Sequence, residues 1–345
     1  MGECAMTARA WEQTSWNWQD NVAPFLPLYG IDPESNWSLL SFSENAVYRV
    51  DTPTGEVFIL RLHRPHYRSV DEILSEITFI EHLRDDNILN TPAILPTQDG
   101  TMLAHAGEGE QQQHAVLFAY QPGGMPSEDG LPDKFHELGR ISAQLHNYTS
   151  RHAALKNLKR PVWDVEVAVG ENAMWGCWRH TRNMTAEQTQ LLDTADRRVR
   201  AELERYGSPD NRWGLLHGDM RLTNILHSGD QTSIIDFDDC GFGWHMYEFA
   251  CACTFMECSK DIDAITTSWL CGYTQIRPLS EADIQIIPAL LMLRRLLMVG
   301  WFTTHQHSAE ARALEPGFLE DSLTMAQNYL DGTFLSCLTR VTEEA

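Results

Sequence analysis

The spacing of apolar positions changes once along the chain. Residues 37–42, 46–51 and 56–63 are short runs rich in Val, Ile, Leu and aromatic side chains, cut by polar turns, and they predict three strands. Pro53-Thr54-Gly55 supplies the hairpin turn between the last two. Val70, Ile73, Leu74, Ile77, Ile80 and Leu83 then recur at helical spacing, which places a helix over 70–84. Further strands are expected at 93–95, 102–105 and 115–120. Gln121-Pro122-Gly123-Gly124 breaks the pattern and reads as a hinge. Beyond it the period is helical: Phe135, Leu138, Ile141 and Leu145 mark a helix ending near His146-Asn147, and helices follow over 187–206, 245–257, 262–273, 281–305 and 319–338. Residues 151–185 are Trp-rich and poorly periodic, as expected of an irregular or helical insertion. Residues 1–35 read as an arm with helical pieces whose Trp11, Trp16 and Trp18 pack somewhere. Strands plus one helix, then mostly helices, predict an α+β chain of two lobes, 1–121 and 122–345, the first a small antiparallel sheet and the second mostly helical.

The 345 residues suffice for a sizeable core in both lobes. No charged and apolar leader opens the chain, so no signal peptide is expected. The most apolar stretch, 286–302, is interrupted by Pro288, Arg294 and Arg295 and reads as a buried helix rather than a membrane span. Eight scattered cysteines form no paired framework; Cys251, Cys253 and Cys258 cluster without a second ligand group at zinc spacing, and a reducing cytoplasm fits. The net charge of −22 argues against nucleic acid. It would attract a cationic partner, although solubility alone accounts for it.

The densest chemistry is His217-Gly218-Asp219-Met220-Arg221-Leu222-Thr223-Asn224, followed by Ile235-Asp236-Phe237-Asp238. Phosphoryl transfer needs a carboxylate to orient the attacking hydroxyl and hard oxygen ligands to hold magnesium against a triphosphate. Asp219 suits the first task as base. Asn224 and Asp236 suit the second, with Asp238 as a further metal ligand and Asp239 left to solvent. The apolar pairs around them read as short strands flanking a catalytic loop.

These motifs resemble the aminoglycoside phosphotransferase and choline kinase superfamily, the small-molecule branch of the protein-kinase-like fold. The resemblance runs from about Tyr29 to about His305. Asn45-Ala46-Val47-Tyr48-Arg49-Val50, Leu60-Arg61-Leu62-His63-Arg64-Pro65 and the Leu293-Arg294-Arg295…Trp301 segment are most similar to its bacterial homoserine-kinase-like and stress-response Ser/Thr kinase branch. The resemblance implies a two-lobed kinase-like fold, ATP and Mg²⁺ as cofactors, and a small-molecule hydroxyl acceptor that is aminoglycoside-, choline- or homoserine-like. It puts Arg61 where the family usually carries a phosphate-contacting lysine, with Glu76 as its partner. Ser43-Glu44-Asn45-Ala46 takes the place of the phosphate-covering loop, without glycine, leaving Ser43, Asn45 and backbone N–H groups to reach phosphate. The adenine base is expected against the strand ending at Phe118-Ala119-Tyr120. Tyr247-Glu248-Phe249-Ala250 stands where the family has Tyr-Asp, and Glu248 should accept hydrogen bonds from the catalytic-loop backbone. Arg221 could bind an anionic group. Trp244, Tyr273, Arg294, Arg295 and Trp301 are placed to line an acceptor pocket, though core packing is the simpler account.

Two other readings share this sequence. A Ser/Thr protein kinase of the stress-response type would use the same centre. A nucleotide-binding pseudokinase is suggested only by Arg61 and the glycine-free loop. The sequence leaves open the acceptor, the nucleotide preference and the oligomeric state.

Overall fold

In the computed structural model, residues 17–127 and 129–338 are described; Trp11 and Trp16 lie outside them, while Trp18 is buried. The first lobe is an antiparallel sheet of β1 (Asn36–Phe42), β2 (Asn45–Asp51), β3 (Val57–His63), β4 (Ile94–Leu95), β5 (Ala104–Ala106) and β6 (Gln113–Ala119). The strand order is β1-β2-β3-β6-β4, with β5 also paired to β6. One face buries Trp18, Phe25, Leu26, Leu60 and Leu62 in a small core. Helix α1 (Val70–Asp85) starts at a capping box between Ser69 and Glu72. Its Ile73, Ile77 and Phe79 join the larger core of the second lobe, where Phe79 meets Phe237 edge-on at 5.7 Å. That contact ties the first lobe to the segment between Asp236 and Asp238.

The chain then crosses at Gly124, which exchanges backbone hydrogen bonds with His227. The second lobe is built from α2 (Leu131–Arg151), α3 (Val165–Val169) and α4 (Ala186–Tyr206), then the short strands β7 (Trp213–Leu216), β8 (Ile225–Ser228), β9 (Gln231–Ile234) and β10 (Gly241–Trp244). Helices α5 (Tyr247–Ala252), α6 (Ile262–Thr274), α7 (Glu281–Gln285), α8 (Ile287–Thr304), α9 (Ala309–Leu314) and α10 (Phe318–Asp331) complete it. β8 pairs with β9, and β7 with β10, both antiparallel.

Four expected elements differ, the first being α2, which runs on to Arg151 past the expected end near His146-Asn147. The helix over 281–305 is two, because Pro288 offers no N–H and starts a new helix at its first turn. The 245–257 helix shrinks to α5, chiefly because the chain turns after Ala252, where Phe255 takes a left-handed φ of +70° that no helix continues through. The 319–338 helix ends at Asp331, where Gly332 takes a left-handed conformation. The apolar stretch Glu281–Thr304 has the length and composition of a membrane span, yet 89% of its most apolar window is buried inside the protein.

Candidate active site

The loop between β7 and β8 presents Asp219. His217 holds it from beneath. The Asp219 N–H donates to His217 Nδ1 at 3.2 Å, and His217 Nε2 lies 3.1 Å from the Ile235 carbonyl. This network requires a neutral ring with its proton on Nε2. Burial lowers the His217 pKa, consistent with that state. Gly218 has φ +82°, and a Cβ there would stand 2.4 Å from the Asp239 carbonyl oxygen, so glycine is required. Glu248, at the second position of α5, accepts the N–H groups of His217 (2.9 Å) and Gly218 (3.1 Å). The extra methylene relative to the family's aspartate is accommodated.

Both oxygens of Asp219 are engaged. Oδ1 accepts from Arg294 Nη2 at 2.9 Å, while Oδ2 accepts from Arg221 Nε at 3.1 Å and Asn224 Nδ2 at 2.9 Å. With its nitrogen committed, Asn224 has its amide oxygen left as the group to offer a cation. Arg294 is buried in α8, also donates to Thr254 Oγ1, and lies over the Trp175 ring. A cation in an apolar helix needs a charged partner, and here the partner is the proposed catalytic carboxylate.

Asp236 takes a left-handed φ of +63°, which aspartate tolerates better than most residues. Half of its side chain opens into the cleft. Removal from bulk water, with Asp238, Asp219 and Glu76 nearby, raises its pKa to about 7 against the pull of Arg61. Asp238 is buried; burial would raise its pKa, but Arg68 and Arg61 hold it below the usual carboxylate range. Asp238 Oδ1 is buried with no hydrogen-bond partner. Such an orphaned carboxylate oxygen, with the Asp236 carboxylate nearby, is a hard oxygen donor of the kind Mg²⁺ takes. Asp239 is not solvated as expected: its side chain is 14% exposed and pairs with Arg68 at 3.3 Å.

Arg61, on β3, donates through Nη2 to both Glu76 oxygens at 2.8 Å and lies 3.8 Å from Asp236. It also sits over the Phe118 ring at 5.3 Å. The cleft brings together Ser43, Asn45, Arg61, Asp219, Asp236 and Asp238 with Trp175, Arg221, Phe255, Arg294, Trp301 and Glu310. Glu76, Phe118, Tyr120 and Asn224 lie outside that lining, Asn224 reaching it only through its bond to Asp219. Asn45 is buried, its Oδ1 facing the Arg64 N–H at 3.4 Å, and Tyr120 is exposed beneath Arg49. Trp244, Tyr273 and Arg295 are structural. Trp244 packs on Trp213, Tyr273 bonds His146, and Arg295 pairs with Glu257 at 2.9 Å.

Several site residues come from positions sequence reasoning left unassigned. Arg68 and Arg160 donate to the Asp238 carbonyl, and Trp163 Nε1 to that of Asp239 at 2.8 Å, clamping the segment after Asp236. Arg160, Trp163 and Trp175 all lie in the irregular 151–185 stretch. Their only sequence signal is the density of tryptophan there.

Residues 39–279 match the model of a family described as phosphotransferase enzymes. The solved structure of a microcompartment-associated aminopropanol kinase aligns with a TM-score of 0.82 at 35% identity, covering 91% of this chain and 98% of that one. Amicoumacin kinase of Bacillus subtilis (strain 168) is 24% identical over 299 residues, 82% of this chain and 85% of that protein. Stress response kinase A of Salmonella choleraesuis (strain SC-B67) is 25% identical over 288 residues, 79% and 78% of the two chains.

Proposed function

Because this chain belongs to the phosphotransferase enzyme family, as a small-molecule kinase with the protein-kinase-like fold, we propose that it moves the γ-phosphate of ATP to a hydroxyl of a small molecule in a Mg²⁺-dependent reaction. The observation that carries this reading is the convergence of Asp219, Asp236 and Asp238 in one cleft, with Asn224 bonded to Asp219 and a buried Asp238 carboxylate oxygen left unpartnered. Asp219 orients the acceptor hydroxyl and takes its proton. Arg221, the more exposed of its two guanidinium partners, yields Oδ2 to that hydroxyl, while Arg294 keeps the carboxylate in place. Asn224, Asp236 and Asp238 would hold Mg²⁺, which when bound neutralises charge on the phosphates. Arg61 bridges Glu76 and the phosphates. The first lobe, 1–121, binds nucleotide, and residues 122–345 carry catalysis and the acceptor. The seven described cysteines are all free, in keeping with a cytoplasmic enzyme.

The aminopropanol kinase likeness makes amino alcohols the first acceptors to try. The test is Mg²⁺-dependent ADP release against amino alcohols, amino acids, aminoglycosides and a generic protein acceptor. Release with a small alcohol is expected. The similarity to stress response kinase A favours protein phosphorylation as the second reading, and phosphate incorporated into the protein acceptor alone would replace the first with it. Tight Mg·ATP binding with no release from any acceptor would mark a pseudokinase.

Arg61 gives a separate check. Arg61→Ala leaves Glu76 buried without its partner, a loss of about 3–5 kcal/mol in stability for a broken buried pair, and it removes a phosphate contact. Arg61→Lys retains a cation at the family position but not the fork. ATP affinity measured by calorimetry on folded protein should fall for alanine and persist for lysine. Unchanged affinity and turnover in the alanine variant would return the phosphate contacts to the loop backbone.

A further inference from the structure

The turn between β1 and β2 stands where a phosphate-covering loop is expected, yet it carries a carboxylate, Glu44. A negative side chain over a triphosphate would oppose binding. The structure directs Glu44 elsewhere. Its Oε1 accepts from Trp301 Nε1 at 3.2 Å and lies 2.9 Å from His305 Nε2, both at the end of α8. The side chain is 15% exposed and lines the cleft together with Trp301. Burial alone would raise the Glu44 pKa, but His305 outweighs it and holds the carboxyl well below its usual range, so the group is anionic.

A continuous wall joins this carboxylate to the reacting end. Arg221, bonded to Asp219, lies over the Phe255 ring at 5.7 Å; Phe255 meets Trp301 at 6.3 Å; Trp301 bonds Glu44. The wall therefore runs from a hydroxyl-orienting carboxylate, past two aromatic rings, to a second carboxylate. A carboxylate beside aromatic faces is the environment that attracts an ammonium group. Arg221, the cation on the same wall, is divided between Asp219 and Glu310.

We propose that Glu44 is a specificity-determining residue that receives the ammonium group of an amino-alcohol acceptor, so that the first lobe's glycine-free turn selects the acceptor rather than covering phosphate. This inference rests on the small-molecule kinase reading. In the acceptor-free state Trp301 and His305 satisfy the carboxylate, and the acceptor shares or displaces one of them.

The test compares 1-amino-2-propanol and longer-chain amino alcohols with the matching diols, in which a hydroxyl replaces the ammonium group. The wild-type protein should favour the amine in kcat/KM, mainly through KM. Glu44→Gln, nearly isosteric, should reduce that preference about ten- to a hundredfold, the effect of one hydrogen bond between charged groups. Equal loss with both acceptor types in Glu44→Gln would overturn the proposal and leave Glu44 as a tie between loop and helix. Calorimetry of the amine in the presence of Mg²⁺ and a non-hydrolysable ATP analogue separates the two readings. Glu44-dependent amine binding without ADP release sinks the kinase reading alone. ADP release with the diol but not the amine sinks this inference alone. Neither binding nor release with either type overturns it as well.

Discussion

Asp219→Asn should slow acceptor phosphorylation by about 10²–10⁴-fold, the usual contribution of a positioned acid–base group, while Mg·ATP still binds. The geometry explains why turnover falls so far from so small a change. Oδ1 can go on accepting from Arg294. On the Oδ2 side an amide NH₂ would face two existing donors, Arg221 Nε and Asn224 Nδ2, so the side chain loses both its proton acceptor and its local fit. Asp219→Ala removes the clash but leaves Arg294 buried without its carboxylate, so it should lose stability as well. The two variants share a catalytic defect and differ in thermal stability. The checks are single-turnover kinetics for the chemical step and calorimetry for nucleotide affinity. Near-wild-type turnover in the asparagine variant would remove Asp219 from the reaction.

What the sequence discloses and conceals follows from the range of the forces involved. The main strands of the first lobe are written as short runs of aliphatic and aromatic residues, and α1 as helical spacing with its Ser69…Glu72 cap in plain sight. The carboxylates Asp219, Asp236 and Asp238 are legible as a group because they lie within one short stretch, whereas Glu310, which also lines the cleft, carries no such signal. β10 is not, since Gly241-Phe242-Gly243-Trp244 has little strand character and is held by pairing to β7 and by the Trp163 N–H donating to the Phe242 carbonyl. The clamp made by Arg160 and Trp163 is invisible for the same reason: its partners are backbone carbonyls some 80 positions away, such as Cys240 from Arg160. Arg294 and Arg295 are adjacent in sequence and both buried, yet one meets Asp219 and the other Glu257. Their burial could be inferred from the apolar helix around them, but helix phase and neighbouring elements decide which one serves the cleft. Asp239 departs from its expected place because a third acidic residue in a loop ordinarily faces water, whereas Arg68 arrives from the first lobe to cover it.

Asp236→Asn should cost at least about a hundredfold in Mg²⁺-dependent turnover, because loss of an outer partner alone typically costs about 10–100-fold in metal affinity or activity. Asparagine is the suitable replacement because residue 236 sits at φ +63°, where alanine would add backbone strain to the lost carboxylate. Asp238→Asn should be milder toward the metal, since the Asp238 carboxylate also answers to Arg68, but harder on folding, because the group is buried between guanidinium groups. Titration of Mg²⁺ by calorimetry with ATP present, alongside thermal unfolding, separates the two effects. Equal metal affinities in both variants, or a larger loss at 238, would reverse the order of the ligands. The raised pKa of Asp236 adds a sign that can be checked. With that pKa near 7 in the metal-free site, a proton competes with Mg²⁺ as pH falls through this value, so wild-type affinity should weaken toward about pH 6 and level off above about 8. The amide of the Asp236→Asn variant has no proton to exchange, so the part of the pH dependence that belongs to this carboxylate should disappear there. If the slope persists in that variant unchanged, the proton is taken up by another group of the cleft or by the nucleotide, and Asp236 is not the carboxylate that the metal must win.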